Sequence, residues 1–474
     1  MSPVGTAPGR PVLFLAAIGY FVFLGLALIQ WHLAPEVVLG LTLAGIGIGI
    51  MSLRPYLGLH VLILTLFVEN AVGSTEAISP MKTVGLVILL SWLVNVAMRR
   101  RTGLVFDGFA AILLLFLVWS SVSVVYAIDT RVALNRTFQY AQYALTMFMF
   151  SSVVNTPARI RGVYWSFAIA TTISTVVALV MYYLGMTPAA SGLLVNRNLL
   201  ATYINVAIVC AYLLHQGTRS GAGRTVLLTA LPVLFLGIGL TFSRGGLISL
   251  ALTLLVVWYR LARKGGFLLL AVSMGMICLL TYLLPDAFWE RAQSIVPAIS
   301  RERGTFGARV KIWRAALRMI EDRPVFGVGP GNFVKAFPRY ARGKEWVYQN
   351  LASHNAFVGV TAENGLPGGV LFLLLFGFAL RSARRCMRLG RATARSDLEM
   401  HAIVAEVSLL TFLVAGLTGD VYGIKSLWMF FGLAVALERM AERAVIDKRA
   451  KAAEVSPTAP MEGLAPWALA RPRQ

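Results

Sequence analysis

Imidazole is the side chain whose ordinary pKa lies near neutrality, so a histidine beside fixed cations can take a proton from a hydroxyl while the cations hold an anion. Of the five histidines, His32, His60, His215, His354 and His401, only His354 joins a long polar segment to an apolar run. Arg197 and Arg244 each stand at the start of an apolar run, and the charge pattern of the chain places both on the same face as His354. Guanidinium forks meet phosphate oxygens with paired hydrogen bonds. The set therefore fits the use of an anionic, lipid-linked substrate with no nucleotide. The structural alternatives are a histidine that anchors a helix end at an interface and arginines that snorkel to headgroups.

The elements that must position these residues follow from composition. The chain has 474 residues, 58% hydrophobic and only 14% charged, with repeated apolar runs of about twenty residues. That pattern specifies an all-α polytopic membrane protein. Spans are expected near residues 11–29, 36–53, 57–72, 82–98, 107–126, 138–155, 163–184, 199–215, 225–241, 246–261, 267–284, 355–380, 402–418 and 423–440. This is a count of fourteen, with twelve as the alternative. It divides the chain into a tail at 1–10, eleven helices over 11–284, a large loop at 285–354, three helices over 355–440 and a disordered tail at 441–474 rich in Ala, Pro and basic residues.

Orientation follows from the bias of lysine and arginine toward cytoplasmic loops. With both termini inside, the inner segments hold eighteen basic residues, among them Arg99 to Arg101 and Arg381 to Arg395, against six in the short outer segments. The net charge of +22 then sits over an anionic leaflet, and nucleic-acid binding is not expected. Cys210, Cys278 and Cys386 fall in spans or inner segments with no metal-ligand spacing, so neither a disulfide nor a metal nor any other cofactor is expected.

The loop at 285–354 falls outside. Within it Val310, Trp313, Leu317 and Ile320 recur at helical steps with Arg309, Lys311, Arg314, Arg318 and Asp322 between them, which predicts an amphipathic helix ended by Pro324. That helix either lies on the membrane or caps the bundle. Gly327-Val328-Gly329-Pro330-Gly331-Asn332 follows, a turn whose backbone N–H groups suit an anion but which lacks the lysine and hydroxyl of a P-loop. Glu363 falls well inside the next span, where a carboxylate is costly unless it faces a cavity or a partner. It is expected to shape the site, to orient the histidine or to serve a structural hydrogen bond.

Ser353-His354-Asn355 followed by Glu363-Asn364-Gly365 and Gly368-Gly369 resembles the pattern of the O-antigen ligase and polymerase superfamily. The resemblance extends to Phe242-Ser243-Arg244-Gly245-Gly246, to Arg309 with Trp313 and to Pro324 through Gly331, and covers roughly residues 195–440. It implies a GT-C-like, metal-independent glycosyltransferase that takes a glycan from undecaprenyl pyrophosphate on the periplasmic side of the bacterial inner membrane. By the same resemblance His354 would activate the acceptor hydroxyl and Arg244 and Arg197 would hold the pyrophosphate. Asp420, Arg309, Asn355 and Glu363 would support them. The fourteen expected spans exceed the twelve usual in ligases. The acceptor stays open between lipid A-core for a ligase, a second lipid-linked glycan for a polymerase and a protein hydroxyl. A lipid or polysaccharide transporter without catalysis is the non-enzymatic alternative.

Overall fold

The computed structural model describes residues 54–68, 80–99, 107–194, 196–261, 274–275 and 304–455. The larger helices there are α1 (Pro55–Val68), α2 (Pro80–Arg99), α3 (Gly108–Ser123), α4 (Thr130–Val153), α5 (Pro157–Tyr183), α6 (Arg197–Gly217), α7 (Gly221–Leu240), α8 (Arg244–Leu261), α9 (Gly304–Asp322), α10 (Phe333–Tyr340), α11 (Ala356–Ala392), α12 (Ser396–Gly416) and α13 (Lys425–Val455), with no strand among the described residues. Six segments are long and apolar enough to cross a membrane: Gly108–Tyr126, Pro157–Tyr183, Arg197–Gly217, Gly221–Leu240, Ala356–Ala392 and Ser396–Gly416. The protein is an all-α polytopic membrane protein. The expected spans at 11–29, 36–53 and 267–284 fall outside the described residues, apart from a helical fragment at 274–275. Every other expected span coincides with a helix.

Three boundaries differ most from expectation. Helix α4 begins at Thr130 rather than 138, because Asp129 caps it by accepting the Val132 N–H at 3.0 Å. Helix α11 runs to Ala392 rather than 380. Helix α13 continues to Val455, past the expected end at 440 and into the segment expected to be disordered. Its last turns are rich in alanine, glutamate, lysine and arginine, all strong helix formers, and Glu438 and Glu442 both pair with Arg385 of α11.

End-to-end contacts show the helices alternating in direction. At one end Asp107, ahead of α3, pairs with Arg439 of α13 at 2.8 Å, and Tyr56 of α1 donates to the Arg159 carbonyl of α5 at 3.0 Å. At the opposite end Lys335 pairs with Asp129 and Ser353 meets Asp420. Arg197, Arg244, His354 and Asp420 thereby share that second end. Helix α11 packs on α12, α13 and α3, while α6 is enclosed by α5, α7, α8 and α12. Lipid offers no hydrophobic drive for these contacts, so close approach matters: a Cβ on Gly246 would stand 2.6 Å from that of Ala201, and one on Gly432 would stand 2.5 Å from the Met147 carbonyl. Away from the site, buried Glu406 of α12 receives a bidentate Arg260 at 2.6 and 2.8 Å and Arg384 at 2.7 Å, tying α8, α11 and α12 together.

The segment at 304–348 folds back onto α11. Ile312, Ala315, Ala316 and Met319 of α9 form a small core with Val328, Phe333, Phe337 and Ala362. The buried face is thus rotated from the expected stripe: Trp313 and Ile320 border it, but Leu317 is 52% exposed. Alanines 315 and 316 let α9 approach α11 closely, a role that a pattern of large apolar residues does not show.

Helix α11 is broken at Gly365, whose φ of 72° and ψ of 178° are non-helical. Pro367 has no N–H for the Glu363 carbonyl, and Leu366 has turned away from Ala362. The loop after α9 supplies the missing partners: Val328 N–H donates to the Ala362 carbonyl and Gly329 N–H to that of Glu363, both at 2.9 Å, and the Pro324 carbonyl accepts from Leu366 at 2.7 Å. The Trp119 indole of α3 donates to the Asn364 carbonyl at 2.9 Å. A Cβ at position 365 would overlap the Val325 carbonyl, in a backbone region almost closed to other residues. Gly365→Ala is therefore expected to cost about 2–3 kcal/mol. Thermal unfolding of the detergent-solubilised protein checks it, and an unchanged Tm would show that the break is not needed for stability.

Candidate active site

Three parts of the fold frame the site, and Arg309 of α9 joins them. The first is the pair of helix starts at Arg197 and Arg244. Asn196 caps α6 by accepting the N–H groups of Asn198 and Leu199 at 3.0 and 3.2 Å. Ser243 accepts the Gly246 N–H at 3.1 Å, and its hydroxyl donates to Asn198 Oδ1 at 2.8 Å. Asn205 of α6 donates to the Gly246 carbonyl at 2.9 Å. Two positive helix ends are thus locked side by side, each opening with an arginine, an arrangement suited to phosphate. Phe242, with φ of 49°, makes the sharp turn into α8.

The second segment is the turn into α11. Asn355 caps the helix by accepting from Phe357 and Val358 N–H at 3.0 and 3.1 Å. His354 sits one residue earlier with φ of 51°, a left-handed conformation that is strained for a residue with a Cβ and that recurs at functional positions. The Trp313 indole of α9 donates to the Ser353 carbonyl at 3.0 Å, so the amphipathic helix holds the histidine turn.

The third is the turn between α12 and α13, which carries Asp420. One carboxylate oxygen lies 2.5 Å from the Ser353 hydroxyl, and the other accepts the backbone N–H of His354 at 3.2 Å and stands 4.0 Å from its Nδ1. This turn also borders Arg244, since a Cβ on Gly245 would meet Thr418 Oγ1 at 2.6 Å. Arg309 of α9 completes the group, within electrostatic reach of Asp420, Arg244, Arg197 and His354. Burial pushes the His354 imidazole below its ordinary pKa; Asp420 opposes that shift and Arg309 adds to it. Burial and the neighbouring arginines likewise lower Arg309, which stays cationic in any case.

The histidine, the three arginines and Asp420 therefore come together from distant parts of the chain. Glu363 lies behind them. One of its oxygens accepts the Phe333 N–H at 3.4 Å with Gly331 nearby, so the end of the glycine-rich turn faces a carboxyl group of this chain. Asp420, and not Glu363, is the carboxylate in contact with His354. Arg136 was not singled out from sequence: placed in a loop by the late start expected for α4, it lies inside that helix, 5.8 Å over the Tyr422 ring and within electrostatic reach of Glu363. The Asp129 cap two turns before it was the available signal.

No curated protein matches the chain. Residues 226–373 match the model of a family described as O-antigen ligase. That stretch contains Arg244, Arg309, His354, Asn355 and Glu363, whereas Arg197 and Asp420 lie outside it and join the site only through the fold. A polytopic helical membrane protein whose matched segment carries most of this gathering of residues is, over that segment, similar to the O-antigen ligase family, which supports a place in the O-antigen ligase and polymerase superfamily.

Proposed function

We propose that the protein transfers a glycan from undecaprenyl pyrophosphate to a hydroxyl acceptor, at a site on the periplasmic face of the bacterial inner membrane, with lipid A-core as the acceptor. The observation that carries this reading is a histidine held against an aspartate beside Arg309, which itself lies within electrostatic reach of Arg197 and Arg244 at two helix N-termini. His354 Nδ1 faces Asp420, which leaves Nε2 to take the acceptor proton. The acceptor oxygen forms its bond to the anomeric carbon as the carbon–oxygen bond to the pyrophosphate breaks, and the electron pair leaves with undecaprenyl pyrophosphate. One displacement of this kind inverts the anomeric centre. Asp420 stabilises the imidazolium, and Arg197, Arg244 and Arg309 stabilise the charge gathering on the phosphates, the task a metal ion performs in other transferases.

The reading is tested by transfer with the purified protein, supplied with a lipid-linked glycan and either lipid A-core, no second acceptor or a protein acceptor. His354→Ala is expected to lower transfer by about 10²- to 10⁴-fold with donor binding retained, whereas Arg244→Ala weakens donor binding as well. Normal turnover by a correctly inserted His354→Ala protein would remove histidine from the mechanism. Glycan lengthening without lipid A-core would point to a polymerase, and donor binding with no transfer under any condition would point to a transporter.

The pH dependence has a definite sign. The base works when neutral, so the rate rises with pH through the His354 pKa, and burial places that limb below the ordinary histidine range. Asp420→Asn removes the interaction that raises the pKa and moves the limb to lower pH; Arg309→Gln removes one that lowers it and moves the limb to higher pH. Rate profiles of the two variants that shift in the same direction would contradict this assignment.

A further inference from the structure

Two cavities share Trp165, at the end of the bundle remote from His354. One, of about 310 Å³, is a groove between α5 and α7 walled by Ile169, Ile173, Val226, Ala230 and Val233. Both helices are long and apolar enough to cross the membrane, and Ile169, Ile173 and Val226 are 41%, 53% and 50% exposed, so the groove opens on the bilayer. The other cavity, of about 570 Å³, is lined by Arg161, Trp165, Thr218, Arg219 and Ser220.

The chain builds this mouth where α5 begins and α6 hands over to α7. Arg161 lies in the first turns of α5, and Arg219 lies immediately before Ser220, which caps α7 by accepting the Gly223 N–H. Two guanidiniums and the positive end of α7 therefore border one space, and an indole of the kind that settles at the headgroup level joins it to the apolar groove. The Arg161 and Arg219 side chains are exposed, and neither belongs to the site around His354.

We propose that this is a binding site for an anionic phospholipid, with an acyl chain along the groove and the phosphate between Arg161 and Arg219. The paired arginines select negative charge, and the continuous apolar wall selects a lipid over a soluble anion. Under the orientation proposed above, the site lies in the cytoplasmic leaflet, where anionic lipids gather against basic residues. Its occupant would brace α5 against α7 from the lipid side, independently of glycan transfer.

Native mass spectrometry of the full-length protein, titrated with phosphatidylglycerol, phosphatidylcholine or glycerol phosphate, tests the proposal. The expected result is saturable binding of phosphatidylglycerol in preference to phosphatidylcholine, weakened about fivefold by each of Arg161→Ala and Arg219→Ala. Thr229→Trp, which fills the groove from an exposed position and keeps both arginines, is expected to weaken it as well. Equal retention of phosphatidylcholine, or phosphatidylglycerol binding indifferent to both arginine substitutions, would overturn the proposal. Glycerol phosphate binding as tightly as the lipid, unaffected by Thr229→Trp, would overturn it in favour of a soluble-anion site.

Discussion

The break in α11 at Gly365 is the constraint on which the architecture around the site depends. A span cannot leave backbone groups unpaired in lipid, where each costs several kcal/mol. Because Pro367 and the turn at Gly365 release the carbonyls of Ala362, Glu363 and Asn364, something must come to meet them. The loop after α9 and the Trp119 indole do so, and in docking there the loop brings Gly331 and Phe333 onto the Glu363 carboxylate. A helix defect thus serves as the mooring for an extramembrane unit, and through Trp313 that unit holds the turn bearing His354.

Around this mooring the charges are sorted by role. At the site end the arginines are drawn together despite their mutual repulsion, with Asp420 and His354 both within electrostatic reach of Arg309. At the other end the carboxylates are saturated: Glu406 holds two arginines, Glu399 pairs with Arg391, and Glu438 and Glu442 share Arg385. Buried ion pairs of that kind fix which helices meet, because breaking one leaves an uncompensated charge.

Much of this was legible in the chain. The apolar runs located the helices, and the alternation of basic loops placed His354, Arg197 and Arg244 on one face, where the fold also puts them. The Ser353-His354-Asn355 junction reads directly as a helix cap, since Asn355 needs only its own next residues to perform that role. Arg136 was less visible because its importance rests on a neighbour, Glu363, more than two hundred positions away. The buried stripe of α9 was misplaced because alanine counts little in a hydrophobic pattern and much in the close approach of two helices.

The sequence by itself determined the class of the protein and the residue types able to do chemistry, because apolar length and capping are local properties. Only the tertiary structure decided which carboxylate meets the histidine and which carboxyl group the end of the glycine-rich turn faces. It also decided that Arg309 from the loop helix joins the two arginines at helix starts. Those outcomes depend on the break at Gly365 and on contacts between segments far apart in the chain, whose geometry no local pattern encodes.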